Sequence, residues 1–186
     1  MNHPTDFSAP VTLTRDCPAV LIPEGSAITI AAGTAVYLTQ ALGGSVTVNV
    51  NGNLARVAAT DVDALGMTAT APPAEVARAS ADGTIDMDLV WEQLSTCYDP
   101  EIPINIVELG LIYRCEAKPV VGGQRIEIDM TLTAPGCGMG PFLVEDVRSK
   151  VAQVPNVAEV EVELTFDPPW NQSMMSEAAR LETGLY

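Results

Sequence analysis

Residues 125–141 of the chain read RIEIDMTLTAPGCGMGP, and this stretch joins a strand, a loop and the start of a helix. Apolar and polar residues alternate over its first half, which is typical of a β-strand with one buried face. The apolar members are Ile126, Ile128, Met130 and Leu132, and the polar members are Arg125, Glu127, Asp129 and Thr131. Because proline is favoured in the first turn of a helix, Pro141 predicts a helix start directly after the loop.

Further helices and strands are predicted on both sides of this stretch. Asp86 or Asp88 would cap a helix running through Cys97, and a strand would follow at residues 111–117. Downstream, residues 159–166 alternate again, with Phe166 as the last inward side chain, and Ser173 would cap a final helix over residues 174–183. The order helix-strand-strand-helix-strand-helix predicts an α+β domain in which helices pack on one face of a small sheet of about three strands.

A small β-rich domain is predicted at residues 1–66, ahead of this one. Its strand-like segments are separated by turn signals, of which Asn51-Gly52 suits a tight hairpin because both residues tolerate positive φ. Residues 67–84 are rich in Ala, Thr, Pro and Gly and contain Pro72-Pro73, which is typical of a linker. The α+β domain would therefore occupy residues 85–186.

The composition excludes several classes of protein. Apolar residues make up 47% of the 186 positions, which supports a packed core, and the formal charge of -15 disfavours binding to the phosphates of nucleic acids. No apolar run approaches the length of about 18 residues that a membrane helix needs. The polar start of the chain lacks the pattern of a signal peptide, so we expect a cytoplasmic protein with no membrane partner.

The sequence offers few residues for metal binding or nucleophilic chemistry. The only histidine is His3, and the four cysteines, at positions 17, 97, 115 and 137, contain no Cys-x-x-Cys pair. The sequence therefore argues against a histidine-based catalytic dyad and against a Cys/His zinc site. Any site has to rely on thiols, carboxylates, backbone groups or a partner.

Cys137 is the first candidate. It lies in a loop with glycines at positions 136, 138 and 140, which permit unusual backbone angles and let another group approach the sulfur. A helix N-terminus offers N–H groups and a partial positive charge, which favour a thiolate. The alternative is a structural cysteine buried in a tight turn.

A second cluster follows the first predicted helix at residues 98–105, YDPEIPIN. Two prolines stiffen the loop, and Asp99 and Glu101 would present carboxylates that ligate a metal or move protons. The alternative is that Asp99 caps the backbone at Asn105 or Ile106 while Glu101 is solvated. Trp170, at the end of residues 167–170, either covers the site or packs on the sheet.

Three ordered motifs resemble the iron–sulfur assembly domain that SufT shares with PaaD-like proteins and the eukaryotic cytosolic targeting factor. They are YDPEIPINIV with LGLIY at residues 98–113, MTLTAPGC at residues 130–137, and DPPWN with MMSEAAR at residues 167–180. The similarity spans about 100 residues, and the added β-rich segment is similar to the SufT subgroup in particular.

The resemblance implies an accessory role in iron–sulfur cluster assembly or transfer, with client iron–sulfur apoproteins and other assembly factors as partners. It implies that Cys137 is the functional thiol and metal ligand, that Asp99 and Glu101 lie beside it, and that Thr133, Gly136 and Gly138 shape the loop. Because clusters are usually held by several cysteines, an iron–sulfur cluster or iron would be bound transiently and shared with a partner or second subunit. A homodimer that brings two copies of Cys137 together is one solution.

Two other functions remain open at this point. A thiol enzyme would use Cys137 as nucleophile and Asp99 or Glu101 as proton acceptor, although the sequence supplies no histidine base nearby. A metal-free scaffold would bind partners through the fold alone. Replacement of Cys137 separates the scaffold, which would survive the change, from the carrier, which would not.

Overall fold

The computed structural model describes residues 9–68 and 83–184, in two compact units, Met1–Pro73 and Ala74–Tyr186. Most of the predicted linker at residues 67–84 therefore lies outside the described residues. Each unit has its own hydrophobic core, formed by residues of that unit alone. The predicted α+β class is confirmed, since the second unit combines helices with a small sheet and the first is mainly strands.

The first unit is one six-stranded antiparallel sheet in the order β1-β4-β5-β6-β2-β3. Its strands are β1 (Pro10–Thr12), β2 (Cys17–Ile22), β3 (Ala27–Ile30), β4 (Ala35–Leu42), β5 (Ser45–Val50) and β6 (Asn53–Val57), followed by a 3₁₀ helix at Ala59–Leu65. The hairpin predicted at Asn51-Gly52 joins β5 to β6, and both residues have positive φ, 52° and 87°. The sequence pattern missed β2 and β6.

Residues 83–184, the described part of the second unit, form three α-helices and three strands. They are α1 (Met87–Leu94), β7 (Ile112–Val120), β8 (Gly123–Met130), α2 (Gly140–Val151), β9 (Val157–Leu164) and α3 (Glu177–Thr183). The strands lie in the order β7-β8-β9, antiparallel between β7 and β8 and parallel between β8 and β9. Helix α2 contacts both α1 and β9, and α2 begins where Pro141 predicted it.

Helix α1 is shorter than predicted. Asp86 caps it as expected, accepting a hydrogen bond from Asp88 N at 3.0 Å, but the helix ends at Leu94 rather than at Cys97. The hydroxyls of Ser95 and Thr96 donate to the carbonyls of Trp91 and Gln93 at 2.8 and 2.7 Å. Side chains that bond to the last carbonyls compete with the helical backbone, which explains the early end.

Two predictions for the C-terminal part are wrong. Phe166 is 43% exposed rather than inward, because β9 ends at Leu164 and the alternation of faces stops there. Ser173 does not cap the last helix. It lies in a 3₁₀ turn, and Ser176 is the N-cap of α3, accepting from Ala179 N at 3.1 Å.

Candidate functional site

The segment before β7, the loop after β8 and the segment after β9 lie together at one end of the second sheet. Ile112 at the start of β7 pairs with Met130 at the end of β8, and Met130 pairs with Leu164 at the end of β9. Two hydrogen bonds of 2.8 Å extend this alignment into the loops, from Thr131 N to Leu111 O and from Thr165 N to Met130 O. The loop containing Cys137 leaves the sheet at this end, which we call the Cys137 end.

The Cys137 loop is a series of tight turns closed by a helix. Gly136 has a φ of +80°, which favours glycine, and its position faces open space. Cys137 N donates to Ala134 O at 3.3 Å, and Gly140 N donates to Cys137 O at 3.2 Å. Gly138 is exposed and is not among the residues with positive φ, so it does not supply the unusual angle expected of it.

Helix α2 begins directly against the sheet. A Cβ added at Gly140 would lie 2.9 Å from Leu132 Cδ1 and 3.5 Å from Leu164 Cδ1, so a larger residue would require the Leu132 side chain to shift. Cys137 lies three residues earlier, half-buried and packed against the core. The sulfur is thus carried on the loop just before the N-terminus of α2, while Ala134, Pro135 and Gly136 form an exposed tip.

The other three thiols are less suited to chemistry. Cys17 and Cys97 are fully buried. Cys115 is half-buried on β7, where burial, with a smaller contribution from Glu116, raises the pKa of its thiol to about 11. A thiol with such a pKa is almost entirely protonated at neutral pH. Cys137 is therefore the best-placed thiol of the four for binding or attack.

The Asp99 loop is organised by the Asp99 carboxylate itself. Asp99 is only 5% exposed, and its Oδ1 accepts from Glu101 N at 2.8 Å and Ile102 N at 2.9 Å. Ile106 N donates to Cys97 O at 2.9 Å, so the bonds to Asp99 come from Glu101 and Ile102 rather than from Ile106. Asn105 is instead an acceptor in its own right, since its Oδ1 takes bonds from Val107 N and Glu108 N at 3.1 and 2.9 Å.

Asp99 and Glu101 differ in what they offer a ligand. Asp99 is buried with one oxygen committed to the loop backbone, whereas the Glu101 side chain is exposed. The hydrogen bonds named for the Asp99 loop and for the Cys137 loop each lie within one loop. The juxtaposition of the two loops stays a prediction.

Residues 165–176, which we call the C-terminal strap, run from the end of β9 back to the segment before β7. Trp170 Nε1 donates to Leu109 O at 2.8 Å, and Tyr113 Oη donates to Pro168 O at 2.8 Å. Ser176 N donates to Glu108 O at 2.8 Å, and the Ser176 hydroxyl also bonds to the Glu108 carboxylate. Trp170 is half-buried and packs against the core, as the second of its two predicted roles required.

Gly110 permits the strap to close. It has a φ of +70°, and a Cβ there would lie 2.9 Å from Met174 C and closer still to Met174 O. A glycine between Leu109 and Leu111 predicts a turn or close packing, and both occur at Gly110. The strap thus ties the third motif to the first at the Cys137 end.

Thr131 was also misplaced by the alternation pattern. It was grouped with the polar face, yet it is completely buried, and its hydroxyl has no hydrogen-bond partner among the described residues. The pattern failed because β8 ends at Met130, one residue earlier. Thr133, two residues further along the loop, is half-buried.

Cys137 is not part of a metal site with three or more ligands within the described ranges. No cluster of three or more His, Cys, Asp or Glu side chains able to hold a metal ion occurs in residues 9–68 and 83–184. A single thiolate accounts for one of the roughly four cysteine ligands of a typical iron–sulfur cluster. No helix in these same ranges is long and apolar enough to cross a membrane.

Comparison with known proteins identifies the family. The profile of the iron–sulfur cluster assembly protein family matches residues 88–164. A Porphyromonas gingivalis protein named Fe-S protein maturation auxiliary factor is 51% identical over 96 residues, which are 51% of this chain and 88% of that protein. The chain belongs to this family.

The chain is also similar to a second maturation factor and to a solved structure. The Staphylococcus aureus Fe-S protein maturation auxiliary factor SufT is 39% identical over 88 residues, 47% of this chain and 96% of that protein. A crystal structure of a domain of unknown function from Bacillus anthracis is 34% identical, covering 53% of this chain and 92% of that one, with a TM-score of 0.48. The family match contains both Asp99 and Cys137.

Proposed function

We propose that this chain is an accessory factor in the maturation of iron–sulfur proteins and that it handles iron or a cluster through Cys137. The general role follows from the family, whose named members are maturation auxiliary factors and cluster carriers. The observation that carries the specific proposal is the position of Cys137. It is half-buried on a glycine-containing loop before α2, inside residues 88–164, which the family profile matches.

The chemistry required is soft-metal ligation by a thiolate. Iron in clusters is bound by cysteine sulfur, and Cys137 is the thiol whose surroundings best permit this. The exposed tip at Ala134–Gly136 leaves the loop open for a partner to approach. An acceptor protein or a second subunit would then add the remaining thiolates and take over the cluster.

A shared site explains why one cysteine is enough. A carrier that owned all the ligands would retain its cargo, whereas a single ligand releases it when a client offers more thiolates. Two copies of Cys137 meeting across a homodimer, or Cys137 meeting thiols of a client apoprotein or another assembly factor, would each complete the ligand set. The cluster is cargo in this proposal, bound transiently.

Asp99 and Glu101 are proposed to support this site. The Asp99 side chain holds its loop in shape, and the exposed Glu101 carboxylate is available to a hard cation such as ferrous iron. Thr133, Gly136 and Gly138 complete the supporting loop. Asp99→Asn tests this role, because the amide keeps the Oδ1 acceptor for both backbone N–H groups and removes the negative charge.

We expect Asp99→Asn to unfold at nearly the wild-type temperature and to retain less iron. Iron content after desalting measures the effect, with Asp88→Asn on α1 as a control for loss of an exposed charge. Equal iron retention in wild type and Asp99→Asn would remove Asp99 from the site.

Non-enzymatic action is preferred over thiol catalysis. The relatives are named maturation factors and carriers rather than enzymes. A nucleophilic cysteine usually has a base within hydrogen-bond reach, whereas the Cys137 backbone bonds to the backbone of Ala134 and Gly140. A metal-free scaffold remains the main competitor.

Anaerobic reconstitution with iron and sulfide tests the proposal. Wild type, Cys137→Ser and Cys115→Ser would be loaded in parallel and read by visible absorption, then mixed with an apo-ferredoxin to follow cluster transfer. We expect Cys137→Ser to lose both signals and Cys115→Ser to keep them. If Cys137→Ser loads no cluster yet matures the client as wild type does, the metal-free scaffold explains the protein. If Cys137→Ser loads and transfers clusters as wild type does, Cys137 is not the ligand of the cargo.

A further inference from the structure

The two edges of the second sheet are built differently. The edge strand β7 contains Pro119 and a register shift between Ile112 and Arg114, features that interrupt strand pairing. The other edge strand, β9, runs for eight residues as VAEVEVEL without proline, glycine or a basic side chain. In the described parts of the chain no strand pairs with the outer side of β9.

Burial confirms that the β9 edge is open in the described structure. The core-facing residues of central β8, Ile126, Ile128 and Met130, are at most 1% exposed. Their partners on β9 are Val160, Val162 and Leu164, and all three remain partly exposed although they pack against the same core. Another strand beside β9 would cover this apolar margin and satisfy its outward backbone groups.

The opposite face of β9 carries Glu159, Glu161 and Glu163. Arg125 on β8 forms ion pairs with the first two glutamates. Its Nε lies 2.7 Å from Glu159 Oε2, and its Nη1 lies 3.8 Å from Glu161 Oε2. Glu163 has no ion pair to a described residue. These three glutamates form an acidic row along β9. An added strand would lie beside this row, whose charge the ion pairs with Arg125 neutralise only in part.

This acidic row argues against a second copy of the chain at the same edge. Antiparallel pairing of two β9 strands about a two-fold axis at Glu161 would place Glu161 opposite itself and Glu159 opposite Glu163. In-register parallel pairing would also align the three glutamates with themselves. Like charges directly opposite each other destabilise a sheet, so self-pairing is disfavoured.

We propose that the outer edge of β9 docks an extended segment of a partner polypeptide in which Lys or Arg alternates with apolar residues. Added as a fourth strand, its backbone would pair with the free edge. Its cations would lie beside Glu161 and Glu163, and its apolar side chains would cover Val160 and Val162. The proposed contact is with the strand edge and does not depend on cluster binding.

A fluorescein-labelled peptide of eight alternating Lys and Val residues is the probe, titrated with the full chain and read by fluorescence anisotropy. Glu161→Lys/Glu163→Lys removes the acidic row, and Glu92→Lys/Glu145→Lys, two exposed positions on α1 and α2, makes the same change in net charge elsewhere. We expect the β9 variant to weaken binding about tenfold or more and the helix variant to stay within about threefold of wild type. Circular dichroism checks that both fold.

A second peptide, N-methylated on alternate residues, tests strand pairing because it keeps the charges and loses backbone donors. We expect it not to bind. The proposal is overturned if wild type does not bind the first peptide, if both variants weaken it equally, or if the methylated peptide binds as well. A wild-type dimer in sedimentation that Glu161→Lys/Glu163→Lys dissociates would assign the edge to a second copy instead.

Discussion

Cys17 of the first unit and Cys137 of the second unit lie in opposite surroundings. Cys17 lies on strand β2 of the first unit, fully buried, and burial is the main cause that raises the pKa of its thiol. Cys137 lies on a loop of the second unit, between the end of a strand and the start of a helix. A thiol inside a sheet fills space, whereas one at a strand end can meet a ligand. The iron–sulfur family match falls on the second unit alone.

The largest effect is expected for Gly110→Ala, which should destabilise the second unit and leave the first unchanged. Gly110→Ala places a Cβ against the Met174 carbonyl at a positive φ, so the strap has to shift. We expect a loss of about 3 kcal/mol or more in the free energy of unfolding of this unit. Both tryptophans, Trp91 and Trp170, lie in the second unit, so urea unfolding followed by tryptophan fluorescence reports on that unit.

Gly136→Ala is the matched control for Gly110→Ala. Gly136 has a similar φ of +80°, but a Cβ there meets nothing within 4 Å. We expect only the cost of the left-handed backbone, about 1 kcal/mol. Equal losses for the two variants would contradict the view that the strap closes on Gly110.

A fragment test addresses whether the second unit stands alone. Residues 83–186 keep Thr84, whose carbonyl accepts from Asn156 Nδ2 at 2.8 Å, and all the residues of the second core. We expect this fragment to unfold cooperatively at nearly the temperature of that unit in the full chain and to bind iron and sulfide like it. A fragment without a cooperative transition would show that the first unit is needed for the fold.

The smallest effect concerns the pH dependence of stability, and we expect it in both units. Asp63 accepts from Arg15 Nε at 2.9 Å and Asp129 from Arg114 Nε at 2.7 Å, and these hydrogen bonds lower the pKa of each carboxyl below its ordinary value. A lowered folded-state pKa stabilises the fold above the unfolded-state pKa of about 3.9, and this stability is lost as pH falls through the folded-state pKa.

Carboxyl NMR titration measures this effect. Both carboxyls should titrate below about pH 3.9 and move back towards it in Arg15→Met and Arg114→Met respectively. Because the pairs are on the surface, the gain in stability should be small and should shrink in high salt. A normal titration of Asp129 in wild type would contradict its pairing with Arg114.

Local patterns predicted the elements around Cys137 because their signals lie within a few residues. The alternation at residues 126–130 and Pro141 located β8 and the start of α2, and Asn51-Gly52 located a hairpin. These features depend on side-chain period and backbone angles, which the sequence carries directly. The loop residues of the candidate site came from motifs of the same local kind.

Features that depend on distant contacts could not be predicted in this way. The bond from Trp170 to Leu109 spans 61 positions, and nothing near either residue specifies it. Thr131 is buried and Phe166 exposed because the strands end one or two residues before them, and strand ends are set by neighbouring strands. The role of Asp99 within its own loop is likewise a matter of three-dimensional turn geometry.

The central claim is that Cys137 is the thiol through which this iron–sulfur assembly protein handles its cargo. Limiting iodoacetamide applied to the native full chain, with the label mapped by mass spectrometry before and after anaerobic loading with iron and sulfide, tests it most directly. We predict that Cys137 is labelled first of the four cysteines and that loading protects it. Faster labelling of Cys97 or Cys115, or no protection of Cys137 in the loaded protein, would contradict the claim.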